Sequence, residues 1–160
     1  MRWEEFARAA PDLAALGAER FERTGLSLVG TLRIDGTPRI SPVEPTIAGS
    51  DLLLGMMWQS RKALDLLRDP RLVVHSVVSD REGTEGDFKL YGRVLDVPEP
   101  ERRNKYADAV EARIDWRPTE PYHLFAVDIA SAGFVIFGKE RYALSWNPTA
   151  GLRRTDQLEH

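Results

Sequence analysis

An antiparallel β-barrel with peripheral helices is the fold this sequence predicts, and three observations predict it. Short alternating or apolar runs bounded by Gly, Pro, Asn and Asp recur along the chain, enough for about eight strands. Several are joined by hairpin-type connections, with Asp35-Gly36 the clearest turn signal. A single connection, over residues 60–68, reads as a crossover helix, whereas a doubly wound sheet needs one between successive parallel strands.

The elements follow in order. Residues 3–23 read as helical: Trp3, Phe6 and Ala10 fall on one face, then Leu13, Gly17 and Phe21. Pro11 suits the first position of a second helix, and Thr24-Gly25 its end. Residues 26–34 are strand-like. Residues 38–46 form the return strand, whose Pro38, Pro42 and Pro45 mark an edge or a bulge. The apolar run 51–57 is the next strand, and a helix over 61–68 stops at Asp69-Pro70. Residues 72–78 read as a strand, 80–86 as a polar loop expected to be mobile, and 88–97 as a long strand. Pro98-Glu99-Pro100 opens a helix through Ile114, with Tyr106, Val110 and Ile114 at four-residue spacing. Residues 122–129, 133–137 and 142–146 are three further strands, and the chain beyond Pro148 is expected to fray.

The chain has 160 residues, the length of one domain with a genuine core, expected over 1–157. Leu158-Glu159-His160 reads as the remnant of an expression tag. The net charge of −3 argues against a broad nucleic-acid surface but leaves room for a local basic pocket. There is no cysteine, which excludes disulfides, thiolate metal sites and a cysteine nucleophile. No apolar run approaches the ~18 residues of a membrane span, and the acidic, amphipathic start does not read as a signal peptide. A cytoplasmic location, with no membrane partner, is the expectation.

Ser60-Arg61-Lys62 is the segment that points to chemistry. Ser60 stands at the N-cap of the 61–68 helix, where free N–H groups and the positive end of the dipole gather. Two cations in that turn are unfavourable unless an anion neutralises them, so the segment suits a phosphate; the alternative is a solvated helix start. Arg39, Ser41 and Val43 share one face of the return strand. An inward Arg and Ser need a partner, whereas an edge strand could leave them in water. Met56, Met57 and Trp58 can wall a flat aromatic ligand or pack in the core. Asp87, Lys89 and Tyr91 form one face of the long strand; Lys89 faces either a ligand or solvent. His75 lies in an apolar strand and reads as a core histidine, and His123 as surface packing. Neither has a second ligand at metal spacing, so no metal site is expected. The chain carries no Gly-rich phosphate loop, because Gly83-Thr84-Glu85-Gly86 lacks the strand–helix context, and no nucleophile elbow.

This order of parts resembles the pyridoxamine 5′-phosphate oxidase-like family of FMN-binding split barrels. The matching residues are Gly30-Thr31-Leu32 with Asp35-Gly36, Arg39-Ile40-Ser41-Pro42-Val43, Leu54-Gly55-Met56, Ser60-Arg61-Lys62-Ala63 through Asp69-Pro70-Arg71, and Lys89-Leu90-Tyr91-Gly92-Arg93. They cover residues 24–97 well and the rest loosely. The resemblance implies a mainly β, α+β fold: an antiparallel split β-barrel of Greek-key type with peripheral helices. It implies that Ser60, Arg61, Lys62 and Arg39 grip the phosphate of FMN, with Ser41, Met57, Trp58 and Lys89 completing the cofactor site. It implies a homodimer with the flavin between subunits, and an FMN-dependent oxidoreductase acting on a small molecule or electron donor. Pyridoxamine phosphate oxidases carry an Arg-x-His near the C-terminus, but this chain reads Arg141-Tyr142-Ala143 there, so that named activity is not expected. Two other readings stay open. A deazaflavin would want further cations, for which Arg33, Arg81 and Lys89 are candidates. A flavin- or haem-binding module without turnover would use His75 or His123 as a haem ligand.

Overall fold

The computed structural model describes residues 1–156. The expected tag remnant 158–160 and the last residue of the expected domain lie outside the described residues. Two helices come first, α1 (Trp3–Ala9) and α2 (Pro11–Thr24). Trp3, Phe6, Leu13, Gly17 and Phe21 are all buried, the face their spacing predicts. Pro11 opens α2, where its missing N–H would have had no helical partner. Gly25 closes it in the left-handed conformation, φ +66°, and donates its N–H to the Phe21 carbonyl.

The strands are β1 (Ser27–Leu32), β2 (Pro38–Val43), β3 (Pro45–Ala48), β4 (Asp51–Met57), β5 (Arg71–Ser76), β6 (Asp87–Asp96), β7 (Tyr122–Ile136), β8 (Tyr142–Asn147) and β9 (Gly151–Asp156). Helix α3 (Arg61–Arg68) joins β4 to β5, and α4 (Pro100–Ile114) joins β6 to β7. Every pairing is antiparallel, in the order β2-β1-β5-β6-β7-β4-β3. The long β7 serves three neighbours. It pairs with β6 along most of its length, with β4 through 122–126 and with β8 through 132–136. Its two ends thus carry different partners, which splits the barrel. β2 also touches β4, closing the sheet on itself.

Three strand boundaries differ from the sequence reading. The return strand 38–46 is two strands, because Glu44 leaves the ladder and Pro45 starts a new pairing with Leu54. The strands at 122–129 and 133–137 are one. Its small residues, 130–133, let the backbone continue through a bulge at Ala130, which faces the step between Tyr91 and Gly92 of β6. The chain beyond Pro148 does not fray as far as Asp156. A turn in which Asn147 Oδ1 accepts from the N–H groups of Thr149 and Ala150 returns it as β9 against β8.

The main core lies inside the barrel and under α1, α2 and α3. It is built on Leu52, Leu54, Val29, Val74, Phe88, Leu90, Phe125 and Phe134 with Trp3, Phe6 and Phe21. A second core lies on the opposite face of β4 and β7, where α4 brings Tyr106 and Val110 onto Leu53, Val97, Leu124 and Ala126. Ile114, the third residue of that helical stripe, is exposed. Among the described residues the outer face of β2, β1, β5 and β6 has no such cover. There Ile40, Leu28 and Tyr91 are exposed, with Val73 between them.

Candidate functional site

Helix α3 starts at the mouth of the barrel. Met56 is the last buried residue of β4, and Met57 and Trp58 emerge from it into solvent. Gln59 then turns the chain with φ +58°, a left-handed conformation uncommon for a residue with a side chain. Ser60 takes the N-cap position with extended backbone, and its carbonyl accepts the Leu64 N–H at 3.0 Å. Its hydroxyl does not cap the helix as N-cap serines usually do: it makes no capping bond. Ser60 Oγ is instead buried without a partner among the described residues. Neither Arg61 nor Lys62 has an ion-pair partner among the described residues. The helix start is therefore rich in donors and uncompensated in charge.

The other predicted cation is compensated. Arg39 and Ser41 point inward from β2, as their alternation with buried Val43 requires. Arg39 Nε donates to Asp65 Oδ2 at 2.6 Å, and Thr31 Oγ1 donates to the same oxygen at 2.9 Å. Arg68 Nη2 reaches Asp65 Oδ1 at 3.3 Å. Burial alone would raise the Asp65 carboxyl, but the bonds from Arg39, Thr31 and Arg68 outweigh it and hold it below its ordinary value. One carboxylate of α3 thus ties β1 and β2 to the helix and takes up part of the Arg39 charge. Among the described residues the Arg39 Nη groups have no acceptor.

A cleft of about 420 Å³ opens beside this turn. Met57, Trp58 and Lys62 line it, together with Pro42, Glu44 and Gly55. Its opposite wall comes from α4, the segment after it and the start of β7: Tyr106, Trp116 and Tyr122. Gly55 is needed here, since a Cβ on it would lie 1.9 Å from the Tyr106 hydroxyl oxygen. Burial pushes the Tyr106 hydroxyl up to about 12, so it stays a neutral O–H donor at ordinary pH. The slot is largely apolar and aromatic, with a cation, a carboxylate and phenolic hydroxyls at its margins, the usual make-up of a small-molecule site.

Lys89 stands elsewhere. It lies on the outer face of β6 beside Asp87, Nζ to Oδ1 3.2 Å, and across the ladder from His75. The single chain brings Met57, Trp58 and Lys62 together in the cleft, with Ser60 and Arg61 beside it, but not Lys89. The two histidines exchange the places expected of them. His75 is on the outer face and part-exposed, with Nδ1 2.7 Å from its neighbour's Ser76 carbonyl. His123 is buried, its ring stacked on Trp58 at 4.5 Å and facing Phe125. Both lie in runs so apolar that alternation does not reveal the inward face. The loop at 80–86, expected to be mobile, is pinned. Glu85 accepts the N–H groups of Ser79 and Asp80 and pairs with the fully buried Arg20, Nη2 to Oε2 3.0 Å. Among the described residues no group of three or more acidic or histidine side chains could hold a metal ion. No helix among them is long and apolar enough to cross a membrane.

A family model described as pyridoxamine 5′-phosphate oxidase matches residues 17–136. No curated protein matches the chain. Solved structures share the fold at low identity. A pyridoxinephosphate oxidase family protein of Clostridium acetobutylicum, related to general stress protein 26 of B. subtilis, is 14% identical with a TM-score of 0.63, over 86% of this chain and 95% of that one. A pyridoxamine 5′-phosphate oxidase-related, FMN-binding protein of Nostoc punctiforme is 11% identical with a TM-score of 0.63, over 91% and 96%. A haem-binding protein of Mycobacterium smegmatis is 18% identical with a TM-score of 0.60, over 89% of this chain and 57% of that one.

Proposed function

The chain belongs to the pyridoxamine 5′-phosphate oxidase family, and on that premise we propose that its cleft binds FMN in a homodimeric oxidoreductase. The observation that carries the reading is the start of α3. There a buried Ser60 hydroxyl without a partner and two unpaired cations border a flat-walled cleft. Such a turn fits a phosphate dianion: Ser60 Oγ and the first N–H groups donate, Lys62 and Arg61 supply charge, and the free edge of Arg39 adds to it. The Met57, Trp58 and Tyr106 walls fit the ring system, with Ser41 on the strand that carries Arg39. When bound, FMN supplies the hydride chemistry, and the chain binds and orients. The uncovered outer face of β1, β2, β5 and β6 suits a second copy, which would give Lys89 a place in a site shared between subunits.

The chain's own residues argue against a pyridoxamine phosphate oxidase proper. Arg141 is not followed by a histidine two residues on. Arg154 is held by Asp156 and lies 4.0 Å over the Tyr142 ring, on β9. Glu44 lines the cleft, and the cation that lines it among the described residues, Lys62, belongs to the seat at the start of α3. A deazaflavin with a longer acidic tail is less well served, since Arg33 and Arg81 do not line the cleft and the shared site would add Lys89 alone of the three. Haem is less well served too. His123 is enclosed by Trp58 and Phe125, which leaves His75 as the accessible histidine among the described residues. The absorption spectrum of the freshly purified protein, with mass spectrometry of what it releases on denaturation, tests the reading. FMN near one per subunit, and FAD bound more weakly, is the expected result. A released haem or deazaflavin, or equal affinity for FMN and FAD, overturns it.

A further inference from the structure

His123 does more than pack. Its Nε2 accepts the backbone N–H of Gln59 at 3.2 Å, which places the ring's own proton on Nδ1 in the neutral form. Gln59 is the residue in the left-handed conformation immediately before Ser60. Trp58, on its other side, lies flat on the same imidazole with the two planes 12° apart. A residue of β7 thus holds two consecutive residues of the β4–α3 turn, one by its backbone and one by its side chain.

We propose that His123 is a positioning residue of the anion seat: through Nε2 and the Trp58 stack, its neutral ring holds Gln59 in the conformation that starts α3 at Ser60, and its protonation releases the seat. The inference rests on the reading of that seat as a phosphate site. Protonation places an N–H where the lone pair was, facing the Gln59 N–H, so two donors oppose each other. A left-handed glutamine then loses the bond that holds it there. The groups facing the ring are the Trp58 indole, the Phe125 phenyl, the Gln59 N–H and, across the ladder, Met56. None of these titrates. The ionisable groups at this end of the barrel are Arg61, Lys62 and Asp65 of α3, Arg39 of β2, Glu44, Arg103 and Tyr106 of α4, Glu120, and Tyr122 next to the histidine on β7. Among the described residues none of them bonds or pairs with the ring. The charge change that reaches Gln59 is therefore the histidine's own.

The test compares the wild type with His123→Phe, which keeps a ring under Trp58 but no acceptor and no titration. Trp58 emission and the Gln59 amide resonance are followed in the ligand-free proteins between about pH 5 and 8, the range in which histidine changes charge. FMN, riboflavin and inorganic phosphate are titrated at both ends of that range. In the wild type, emission and amide shift move together with one midpoint. FMN affinity falls towards pH 5 by about 10-fold more than in the variant, whose profile keeps only the titration of the phosphate itself. In His123→Phe, FMN at pH 8 is weakened by about 10-fold, riboflavin is little changed, and adding Gln59→Gly recovers part of the loss. Coincident FMN profiles in the two proteins, or a Gln59 amide that does not follow His123, overturn the proposal. If inorganic phosphate shifts the Ser60 amide in the wild type and FMN does not bind, the flavin reading falls and the seat's dependence on His123 is still read from phosphate.

Discussion

Lys62→Ala tests the charge at the start of α3 most directly. Lys62 lines the cleft and among the described residues has no ion-pair partner, so no paired carboxylate there offsets its charge before a ligand arrives. A charge-assisted hydrogen bond to a phosphate oxygen contributes about 1.5–3 kcal/mol, or roughly 10- to 150-fold in affinity. Arg61→Ala should cost a similar amount. Arg39→Ala should cost less, because Asp65 already holds the Arg39 Nε at 2.6 Å and shares its charge. The assay is flavin fluorescence titration at neutral pH, with FMN and riboflavin side by side at two salt concentrations. Riboflavin has the ring and no phosphate, so its affinity should barely change, and the FMN loss should shrink as salt rises. The three residues lie outside the hydrophobic cores, so Lys62→Ala should melt like the wild type. If FMN and riboflavin lose affinity equally, Lys62 touches the ring or shapes the cleft, and the phosphate assignment is refuted.

Four further outcomes are expected. Light scattering at micromolar concentration should give a dimer, and Ile40→Lys with Tyr91→Lys on the uncovered face should give a monomer with weakened flavin; a wild-type monomer that holds flavin refutes the shared site. Oxidation of pyridoxine 5′-phosphate should stay well below an ordinary enzyme rate of about 1 per second, measured by oxygen uptake. Asp65→Asn should lower stability by about 2–3 kcal/mol, read as a fall in urea midpoint at unchanged slope; this is below the cost of breaking a fully buried pair, because Arg68 is part-exposed. Glu85 is held down to about 2 by the N–H groups of Asp80 and Ser79 and by Arg20, so its contribution is full above its ordinary value of 4.5 and is lost as pH falls from there towards 2; Glu85→Gln should flatten that part of the acid-unfolding curve.

Much of the fold was legible because helix and strand signals agreed with tertiary packing. The α2 boundaries follow from Pro11 and Gly25, and β6 from its clean alternation about Phe88 and Leu90. The errors fall where a local signal met a longer-range one. Small residues at 130–133 look like a break but lie where β7 exchanges one partner for another. The last strand is mostly polar and exposed from Leu152 on, so no apolar period announces it; its pairing with β8 makes it a strand. At the site, Met57, Trp58, Ser60, Arg61 and Lys62 were legible because they are contiguous. The far wall, Tyr106, Trp116 and Tyr122, was not, because it arrives from α4 and beyond. Asp65 could have been found. An inward Arg39 demands an anion, and Asp65 is the one acidic residue of α3, placed beside the buried Ala63 and Leu66.

Asp65 also sharpens the argument about the ligand. Arg39, Arg61, Lys62 and Arg68 all gather on or against α3, and the helix offers them a single carboxylate. That carboxylate lies one turn inside the helix, where it takes Arg39 and Arg68, and not at the N-terminus, where an acidic residue would best complement the dipole. The first turn of α3 has no acidic residue at all. If these cations served stability alone, the economical arrangement would set an acid in that first turn against Arg61 and Lys62. Instead the chain compensates Arg39 and Arg68, which bind β1 and β2 to the helix, and among the described residues leaves Arg61 and Lys62 beside the cleft uncompensated. A buried Ser60 hydroxyl without a partner adds a second cost at the same point. Both costs would be offset by one event, the arrival of an anion with several acceptor oxygens. Charge left unpaired at the cleft and paired one turn deeper is therefore the arrangement expected of a phosphate seat built on a helix that the fold must also anchor.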